Sequence, residues 1–422
     1  MEFGLVGILI TVLAASRNLH AEHIDLGNVI FANVLFRHGD RTPVDPYPND
    51  PYNDESLWPV PFGQLTTLGQ HEHLLLGRWL RNRYENLLSD TYSLHDVYVM
   101  STDFDRTLMS AEANLAGLYP PHGKQIWDSD IKWMPIPVHT VPLTQDHLLA
   151  GKKYCPRYDH EMNKVLQSPE MKRIQKENSQ LFDYISKKSG RKIDGLQNLE
   201  YLYNTLWIES RYNKTLPPWT QSVYPEKMEP LARFSFRLQA YNKILQRLKS
   251  GPLLGEIIEH MKEKSKNAMV PDRKVWMYSA HDDTIANFLM TLNIFDTHCP
   301  PYAAAVLLEL REDPKGKHVV TVFYKNTTDE PKLLTIPGCL AACPLQDFIK
   351  LTKSVVPENW EKECLMDASM YGYNVSNSAI IAILSWSVLF LVVLILLIFG
   401  FIYSQHRREN SQYYLRLSTD PI

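Results

Sequence analysis

Apolar and polar positions follow one another along the chain in blocks that predict strands and helices. Residues 29–36 (VIFANVLF) form a run of β-branched and aromatic residues, which is typical of a buried central strand. Similar apolar runs return at residues 275–278, 304–308 and 319–324. Residues 97–120 indicate instead a strand, a polar turn and a helix. The strands are thus predicted in two groups, one early in the chain and one late.

The polar middle of the chain differs from both groups of strands. From about residue 150 to residue 249 it is rich in Lys, Glu, Tyr and Leu at helical spacing, as in LARFSFRLQAYNKILQRLKS. We find no repeat, low-complexity segment or obvious linker in the sequence between the two ends. The pattern therefore predicts one sheet domain, assembled from the early and the late strands, with a helical insertion between them.

Two stretches are far more hydrophobic than the rest. The first residues are apolar and are followed by small residues, which predicts a secretory signal peptide over residues 1–21. Residues 379–403 contain no charged residue over about 25 positions, and roughly 20 suffice to cross a bilayer. The basic residues of HRR at 406–408 place the C-terminus in the cytoplasm. We predict a type I membrane protein with a juxtamembrane stalk over residues 367–378 and a cytoplasmic tail over residues 404–422.

Composition narrows the class of protein. With 45% hydrophobic and 22% charged residues, the chain has the composition of a globular protein rather than a disordered one. Its net charge of -3 and the lack of a sustained basic run predict no nucleic-acid partner. A length of 422 residues is enough for one large core or two domains.

The stretch LFRHGDRTP, residues 35–43, carries the candidate chemistry. It places His38 between Arg37 and Arg41, directly after the first predicted strand. An uncharged imidazole is a good nucleophile toward phosphorus, and the planar fork of an arginine matches phosphate oxygens two at a time. Active sites of open α/β sheets lie at the carboxyl ends of strands. These features predict a phosphate site here, whereas the alternative is a solvated basic turn.

Polar residues also follow the ends of two further predicted strands. Arg106 lies near the start of the helix predicted within residues 97–120, where free N–H groups and the helix dipole favour an anion. His281 and Asp282 follow the predicted strand at residues 275–278. The alternatives are a salt bridge from Arg106 to a neighbouring aspartate and a purely structural role for His281.

The predicted secretory route sets the interpretation of five cysteines, because disulfides persist in oxidising compartments. Cys339 and Cys343 are close enough in sequence to clamp a small loop. Cys155 and Cys364 are then available for a long-range bridge, which leaves Cys299 odd. A metal site is the alternative, but the spacings lack paired C-x-x-C units.

Three N-x-S/T tripeptides agree with the secretory route. They make Asn213, Asn326 and Asn374 candidate glycosylation sites, the last of them close to the predicted membrane span. Beyond the span, Tyr414 and Leu417 fit the pattern of a tyrosine, two residues and a bulky apolar residue. That pattern resembles the sorting signal that clathrin adaptors bind as an extended peptide.

Six separated stretches, in order along the lumenal part, resemble the histidine acid phosphatases of the lysosomal and prostatic type. They are RHGDRTP at 37, STDFDRTLMSAEANLAGLYPP at 101, PIPVHTVPL at 135, YSAHDDT at 278, PPYAA at 300 and PGCLAACPL at 337. The resemblance implies an α/β fold in which a mixed sheet is flanked by helices, with an inserted, mostly helical smaller domain. We set the α/β domain at residues 22–131 and 250–366 and the insertion at residues 132–249.

The resemblance also implies the activity, which is hydrolysis of phosphate monoesters at acid pH through a phosphohistidine intermediate, without a cofactor or a metal. It assigns the nucleophile to His38, the proton donor to Asp282, and phosphate binding to Arg37, Arg41, Arg106 and His281. The proton donor must carry a proton to act, whereas nearby arginines keep the nucleophilic histidine uncharged even in mild acid. An acid optimum is therefore expected.

The family's disulfide pattern supports Cys155 with Cys364 and Cys339 with Cys343, and it gives Cys299 no partner. A third family bridge is absent, because the matching positions hold apolar residues. The resemblance further implies a homodimer that forms through residues 58–68. The membrane span points to the lysosomal type, anchored in the lysosomal or endosomal membrane after transient passage through the cell surface.

Two other functions remain open on the sequence. The RHG core is shared with phytases and inositol polyphosphate phosphatases, whose substrates carry several phosphates. A catalytically idle lumenal receptor could also keep the fold for binding alone. Against this second alternative, every polar position that the chemistry needs is present in the chain.

Overall fold

The apolar runs form a seven-stranded mixed sheet in a computed structural model that describes residues 26–326, 330–366 and 377–417. Its strand order is β2-β3-β1-β4-β5-β6, with β7 also paired to β5. The neighbours β2, β3 and β1 are parallel, whereas β4 to β7 pair in antiparallel fashion. The strands are β1 (Asn28–Arg37), β2 (Val97–Ser101), β3 (Val275–Ala280), β4 (Ala305–Glu312), β5 (His318–Lys325), β6 (Lys332–Leu334) and β7 (Cys343–Pro344).

Helices connect the strands and cover the sheet. Both groups of strands that the apolar pattern predicts are present, and the polar middle between them is helical, as predicted. The helices of the first compact unit are α1 (Thr67–Arg83), α2 (Asp105–Leu118), α3 (Pro156–Leu166), α4 (Pro169–Glu177), α5 (Ser179–Ser189), α6 (Leu196–Arg211), α7 (Glu229–Ser235), α8 (Lys243–Lys249), α9 (Gly251–Ser265), α10 (Asp282–Thr291), α11 (Leu345–Thr352) and α12 (Trp360–Glu363).

The sheet is buried on both faces, which explains why its central strand reads as a continuous apolar run. Successive side chains of β1 point to opposite faces. Leu35 belongs to the core formed with α9 and α10, whereas Phe36 belongs to the core formed with α1 and α2. Helices on both faces of a mixed sheet are the fold class that the sequence predicts.

The helices between β2 and β3 have a hydrophobic core of their own. It includes Phe182, Leu199, Leu206 and Met228, all almost completely buried. The chain divides into two compact units, residues 1–364 and residues 365–422, so this core and the sheet belong to the same unit. The separate domain boundaries set at residues 132–249 stay a prediction.

Two disulfides have the predicted pairing. Cys155, just before α3, is bonded to Cys364, just after α12, and Cys339 is bonded to Cys343. Cys299 is a free, half-buried thiol. The predicted signal peptide lies outside the described residues, and so does the predicted stalk apart from its last two residues, 377 and 378.

The second unit contains the helix α13 (Asn377–Leu417). Its residues Ile381–Arg408 form a stretch long and apolar enough to cross a membrane, the only such stretch in the described part of the chain. The helix continues without a break through residues 404–417, which were predicted as a tail. This stretch contains neither Gly nor Pro, so nothing in it terminates the helix.

Candidate active site

Strand pairing brings the three predicted strand ends to one edge of the sheet. Because β2, β3 and β1 are parallel neighbours, their carboxyl ends meet at the same place. The backbone N–H of His38 donates to the carbonyl of Ala280 over 3.0 Å, and that of Thr102 donates to Ser279 over 3.1 Å. The residues that follow each strand therefore face one another.

The glycine of the RHG motif is required by a close approach of two backbones. A Cβ at Gly39 would lie 2.4 Å from the carbonyl oxygen of Gly69 in the first turn of α1. The backbone N–H of Gly39 also donates to the Ser110 hydroxyl on α2 over 3.1 Å. The chain can therefore turn sharply after His38 and pack its next residues against both helices.

His38 is a neutral, oriented imidazole. It is buried, and its Nδ1 lies 2.8 Å from the carbonyl oxygen of Gly39, which can only accept a hydrogen bond. Nδ1 therefore carries the proton and Nε2 keeps its lone pair. Burial, followed by the charges of Arg106 and Arg37, holds the pKa of His38 well below its ordinary value.

Three guanidiniums surround this imidazole. Arg37 lies over the Tyr302 ring at 4.2 Å and donates to the carbonyl of Pro300. Arg41 donates to the carbonyl of Thr42 over 3.0 Å. Burial and the charges of the other two arginines lower the pKa of Arg106 to about 10. The three guanidiniums repel one another, and an anion bound among them would relieve this repulsion.

The donor atoms of the arginines support this view. The Nε groups of Arg37, Arg41 and Arg106 are buried and have no acceptor among the described residues. Arg106 also forms no ion pair with Asp103 or Asp105 in that part of the chain, so the salt-bridge alternative for it is wrong. Buried N–H groups converging from three side chains form an anion site.

Asp282 lies beside this site as the first residue of α10. Its carboxylate is 2.7 Å from Nη2 of Arg37. Burial alone would raise its pKa, but the charges of Arg37 and Arg41 hold the pKa of Asp282 below its ordinary value. The charges of Arg37 and Arg41 therefore oppose the protonation that a role of Asp282 as proton donor requires.

His281, the residue before α10, completes the group. Its Nε2 lies 3.0 Å from the Thr102 hydroxyl, and its ring centroid is 5.5 Å from that of His38. Burial and the charge of Arg106 lower the pKa of His281 to about 3, so it too is neutral. All six residues predicted from the sequence as phosphate-site residues are thus brought together.

Several residues of the site were not predicted from the sequence. Four of them lie on one face of α6, at positions 200, 204, 207 and 211. Asn204 accepts a hydrogen bond from Arg41 at 3.1 Å, and the Trp207 ring lies 5.5 Å from the Tyr302 ring. Their spacing of four, three and four residues is the signal that could have identified this face.

Asp40 of the RHGDRTP stretch fixes α6 above the strand ends. It is completely buried and forms an ion pair with Arg211 at 2.8 Å. It also accepts hydrogen bonds from the hydroxyls of Thr66 and Tyr212. The motif therefore supplies a structural carboxylate in addition to its candidate chemistry.

Two cavities open from the site. One, of about 590 Å³, is lined by Arg37, Trp207 and Cys299, and we call it the strand-side cavity. The other, of about 790 Å³, is lined mainly by α3, α4 and α6, and we call it the helical cavity. Glu200, Phe236 and Asp282 line both. Asp282 thus lies where the two cavities meet.

The remaining predicted sites lie elsewhere. Asn213 and Asn326 are exposed, as a glycosylation acceptor must be, whereas Asn374 lies outside the described residues. Positions 414 and 417 of the candidate sorting signal have helical backbone rather than the extended form that the signal requires. In the predicted dimer segment, Trp58 is buried and packs on Tyr212 of its own chain, so it is not an exposed anchor.

Comparison with known proteins agrees with this architecture. Residues 28–325 match the family described as the histidine phosphatase superfamily (branch 2). The chain is 40% identical to human lysosomal acid phosphatase over 375 residues, which cover 87% of this chain and 86% of that protein. It is 41% identical to human prostatic acid phosphatase over 355 residues, covering 81% and 89%. A Hafnia alvei phytase solved with tartrate shares the fold, with a TM-score of 0.61, 19% identity and coverage of 81% and 99%.

Proposed function

Because the chain belongs to branch 2 of the histidine phosphatase superfamily, we propose that it is an acid phosphatase that hydrolyses phosphate monoesters through a phosphohistidine at His38. Its relatives at 40% and 41% identity are named acid phosphatases, and each is covered over most of its length. The observation that carries the proposal is the convergence of three buried guanidiniums on a neutral, oriented imidazole.

The arginines hold the phosphate and His38 attacks it. Arg37, Arg41 and Arg106 neutralise the phosphate charge, which would otherwise repel the nucleophile, and they align phosphorus with Nε2 of His38. The hydrogen bond from Nδ1 to Gly39 keeps the lone pair on Nε2. The Nε2 atom of His281 faces the Thr102 hydroxyl. When Nε2 carries the ring proton it can donate to a phosphate oxygen, and when the proton is on Nδ1 it accepts from Thr102. An N–P bond to His38 forms as the ester P–O bond breaks.

Asp282 protonates the leaving oxygen. Alkoxides leave poorly, so proton transfer must accompany cleavage of the P–O bond. Phosphate bound to Arg37 competes for the guanidinium that holds the Asp282 carboxylate at 2.7 Å, and it adds negative charge nearby. Both effects raise the pKa of Asp282. Substrate binding therefore promotes proton uptake by this carboxylate, and acid pH favours it. Asp282 then accepts a proton from the water that attacks the phosphohistidine.

The test is a panel of phosphomonoesters given to the full chain in detergent at acid and neutral pH, with and without tartrate. We expect hydrolysis that is faster in acid and is inhibited by tartrate. Mass spectrometry of protein trapped during turnover should find phosphate, in acid-labile linkage, on the peptide that contains His38. No hydrolysis of any monoester would contradict the proposed activity.

We further propose that the apolar stretch Ile381–Arg408 anchors the enzyme in the lysosomal or endosomal membrane with the catalytic unit in the lumen. Positions 414–417 are helical, so binding to a clathrin adaptor requires this end of the helix to unwind. A Tyr414→Ala variant should accumulate at the cell surface, as measured by surface labelling. Unchanged surface levels and unchanged lysosomal delivery would remove the sorting role from the tail.

A homodimer through residues 58–68 is supported by the exposed Leu68 at the start of α1. Leu75 lies about two helical turns further along α1, and the exposed fractions of the two side chains are 44% and 45%. Trp58 adds nothing to such a surface, because it packs inside its own chain. Sedimentation of the protein at micromolar concentration should show a dimer, and Leu68→Asp should shift it to the monomer. A wild-type protein that sediments only as a monomer would exclude the interface.

A further inference from the structure

We propose that Glu200, the carboxyl group that lines both cavities beside Asp282, is a positioning residue that holds a proton and passes it to Asp282 during turnover. This inference rests on the proposed phosphatase activity. It concerns the source of the proton, which neither the sequence motifs nor the family resemblance assign to a second acid.

The position of Glu200 is fixed by the helix that carries it. One face of α6 is attached to the strand-end segment by three contacts, namely Asn204 with Arg41, Trp207 with Tyr302, and Arg211 with Asp40. At 3.6 residues per turn, position 200 lies on that same face, one turn before Asn204. The contacts therefore hold the Glu200 end of the helix over the junction of the two cavities.

The carboxyl group of Glu200 has no structural partner. It forms neither a hydrogen bond nor an ion pair with any residue in the described ranges. Two other carboxylates of the site differ in this respect, since Asp282 is paired with Arg37 and Asp40 with Arg211. Polar groups in the interior of a folded protein normally have hydrogen-bond partners. A half-buried, unpaired carboxyl at the junction of two active-site cavities therefore contributes nothing evident to the fold.

The charges around Glu200 favour its protonated form. Burial is the largest cause, and the charge of Asp282 adds to it, so the pKa of Glu200 is raised to about 8. Asp283 on α10 acts in the same direction, whereas Arg41 and Arg37 oppose it. The neighbouring Cys299 thiol stays neutral, because burial and Glu200 raise its pKa to about 12.

Two carboxyl groups of one site are thus driven to opposite protonation states. In mild acid Asp282, paired with Arg37, has lost its proton, whereas Glu200 retains one. Pairs of this kind divide the roles of acid and base between them. When phosphate takes over Arg37, Asp282 becomes the stronger base, and the proton of Glu200 can move to it.

The transfer balances over one cycle. The O–H bond of Glu200 breaks as an O–H bond forms on Asp282, which then gives the same proton to the leaving oxygen as the P–O bond breaks and the N–P bond to His38 forms. In the second step, water loses a proton to Asp282 as it attacks phosphorus, and the N–P bond breaks. The proton then returns from Asp282 to Glu200, which restores the starting state.

The experiment compares Glu200→Gln with the wild type, using the full chain in detergent and two substrates. Cleavage of an alkyl phosphate requires protonation of the leaving oxygen. Cleavage of p-nitrophenyl phosphate depends little on it, because the phenolate is a good leaving group. We expect the variant to lose about tenfold or more in kcat on the alkyl phosphate and less than about twofold on p-nitrophenyl phosphate. The alkaline limb of its kcat/KM profile on the alkyl phosphate should move to lower pH.

Three controls separate this role from a structural one. Glu200→Asp should restore part of the alkyl phosphate rate. Glu177→Gln, which changes an exposed carboxyl at the end of α4, should change the rate on neither substrate. Glu200 acts only by passing its proton to Asp282. The double variant Glu200→Gln, Asp282→Asn should therefore hydrolyse the alkyl phosphate no more slowly than Asp282→Asn alone.

A spectroscopic measurement tests the proposal without turnover. Infrared difference spectra between acid and alkaline pH should show a protonated carboxyl in the wild type that disappears near pH 8 and is missing from Glu200→Gln. Equal losses on both substrates, or the absence of this carboxyl signal, would overturn the proposal. Failure of the phosphatase activity itself would appear differently, as a wild type inactive even on p-nitrophenyl phosphate.

Discussion

The helix α6 carries a half-buried and a buried glutamate on opposite sides, and their surroundings differ. Glu200 and Glu209 are nine residues apart, which is half a turn beyond two full turns. Glu200 faces the arginine-rich strand ends, where Arg37 pairs with its neighbour Asp282. Glu209 faces Asp50, which is also buried, and the only cation that acts on Glu209 among the described residues is Lys214.

The comparison shows how neighbouring cations change the protonation of a pair of carboxyl groups. On the active-site side, arginines allow one carboxyl, Asp282, to stay ionised beside a protonated Glu200. On the other side, burial and the Asp50 charge raise the pKa of Glu209 to about 9, with only Lys214 opposing them. Such a pair is best satisfied by sharing one proton, as an O–H···O bond. We therefore expect changes in the first pair to affect activity and changes in the second pair to affect stability.

The largest effect should come from the nucleophile on the active-site side. His38→Ala should reduce turnover of every phosphomonoester on the order of 10⁴-fold or more, because it removes the proposed nucleophile. The measurement is kcat with p-nitrophenyl phosphate, and His122→Ala, an exposed histidine far along the chain, serves as the control. A His38→Ala protein that kept most of its rate would show that the nucleophile is wrongly assigned.

A selective effect should follow from the acid on that side. Asp282→Asn should slow alkyl phosphates by roughly 10²–10⁴-fold but p-nitrophenyl phosphate by less than about tenfold, because only the poorer leaving group needs the proton. Rates across phenols of increasing pKa would measure this dependence. Equal slowing of all esters would assign Asp282 to phosphate binding instead.

On the opposite side of α6, the effect should appear in stability rather than in activity. The pKa of Glu209 is about 9 in the folded protein, against an ordinary value of 4.5, so the folded chain binds more protons between these values. The contribution of this pair is therefore fully present below about pH 4.5 and is lost as pH rises through about 9. The protein should become less stable from acid to neutral pH.

Glu209→Gln should remove most of this dependence. Each pKa unit corresponds to about 1.4 kcal/mol, so the variant should gain at least about 2 kcal/mol relative to the wild type between pH 5 and pH 8. Thermal unfolding across this range is the measurement, and kcat at acid pH should not change. Asp194→Asn, at an exposed carboxyl, is the matched control. Parallel wild-type and variant curves would show that the pair does not share a proton.

Local pattern was sufficient for much of this protein. The strand before His38, the helix that begins just before Arg106, and the apolar stretch near residue 390 all follow from the residues in one window of sequence. The pairing of Cys155 with Cys364 needed the family resemblance, because spacing in sequence does not fix which cysteines meet. Asp40 shows the limit of motifs, since its buried ion pair with Arg211 depends on a helix 171 residues away.

The types of residue at the three strand ends could be recognised in the sequence, because imidazole, guanidinium and carboxyl groups are those suited to binding and transferring phosphate. Which side chains face one another depends on how distant segments of the chain pack in the tertiary structure. The docking of α6 puts Glu200 beside Asp282 and Glu209 beside Asp50, and it buries Trp58 against Tyr212. A glutamate has an ordinary pKa in an unfolded chain. Burial and neighbouring charges, which exist only after packing, raise the pKa of both glutamates, and the two differ in the opposing charges, which are Arg41 and Arg37 for Glu200 and Lys214 for Glu209.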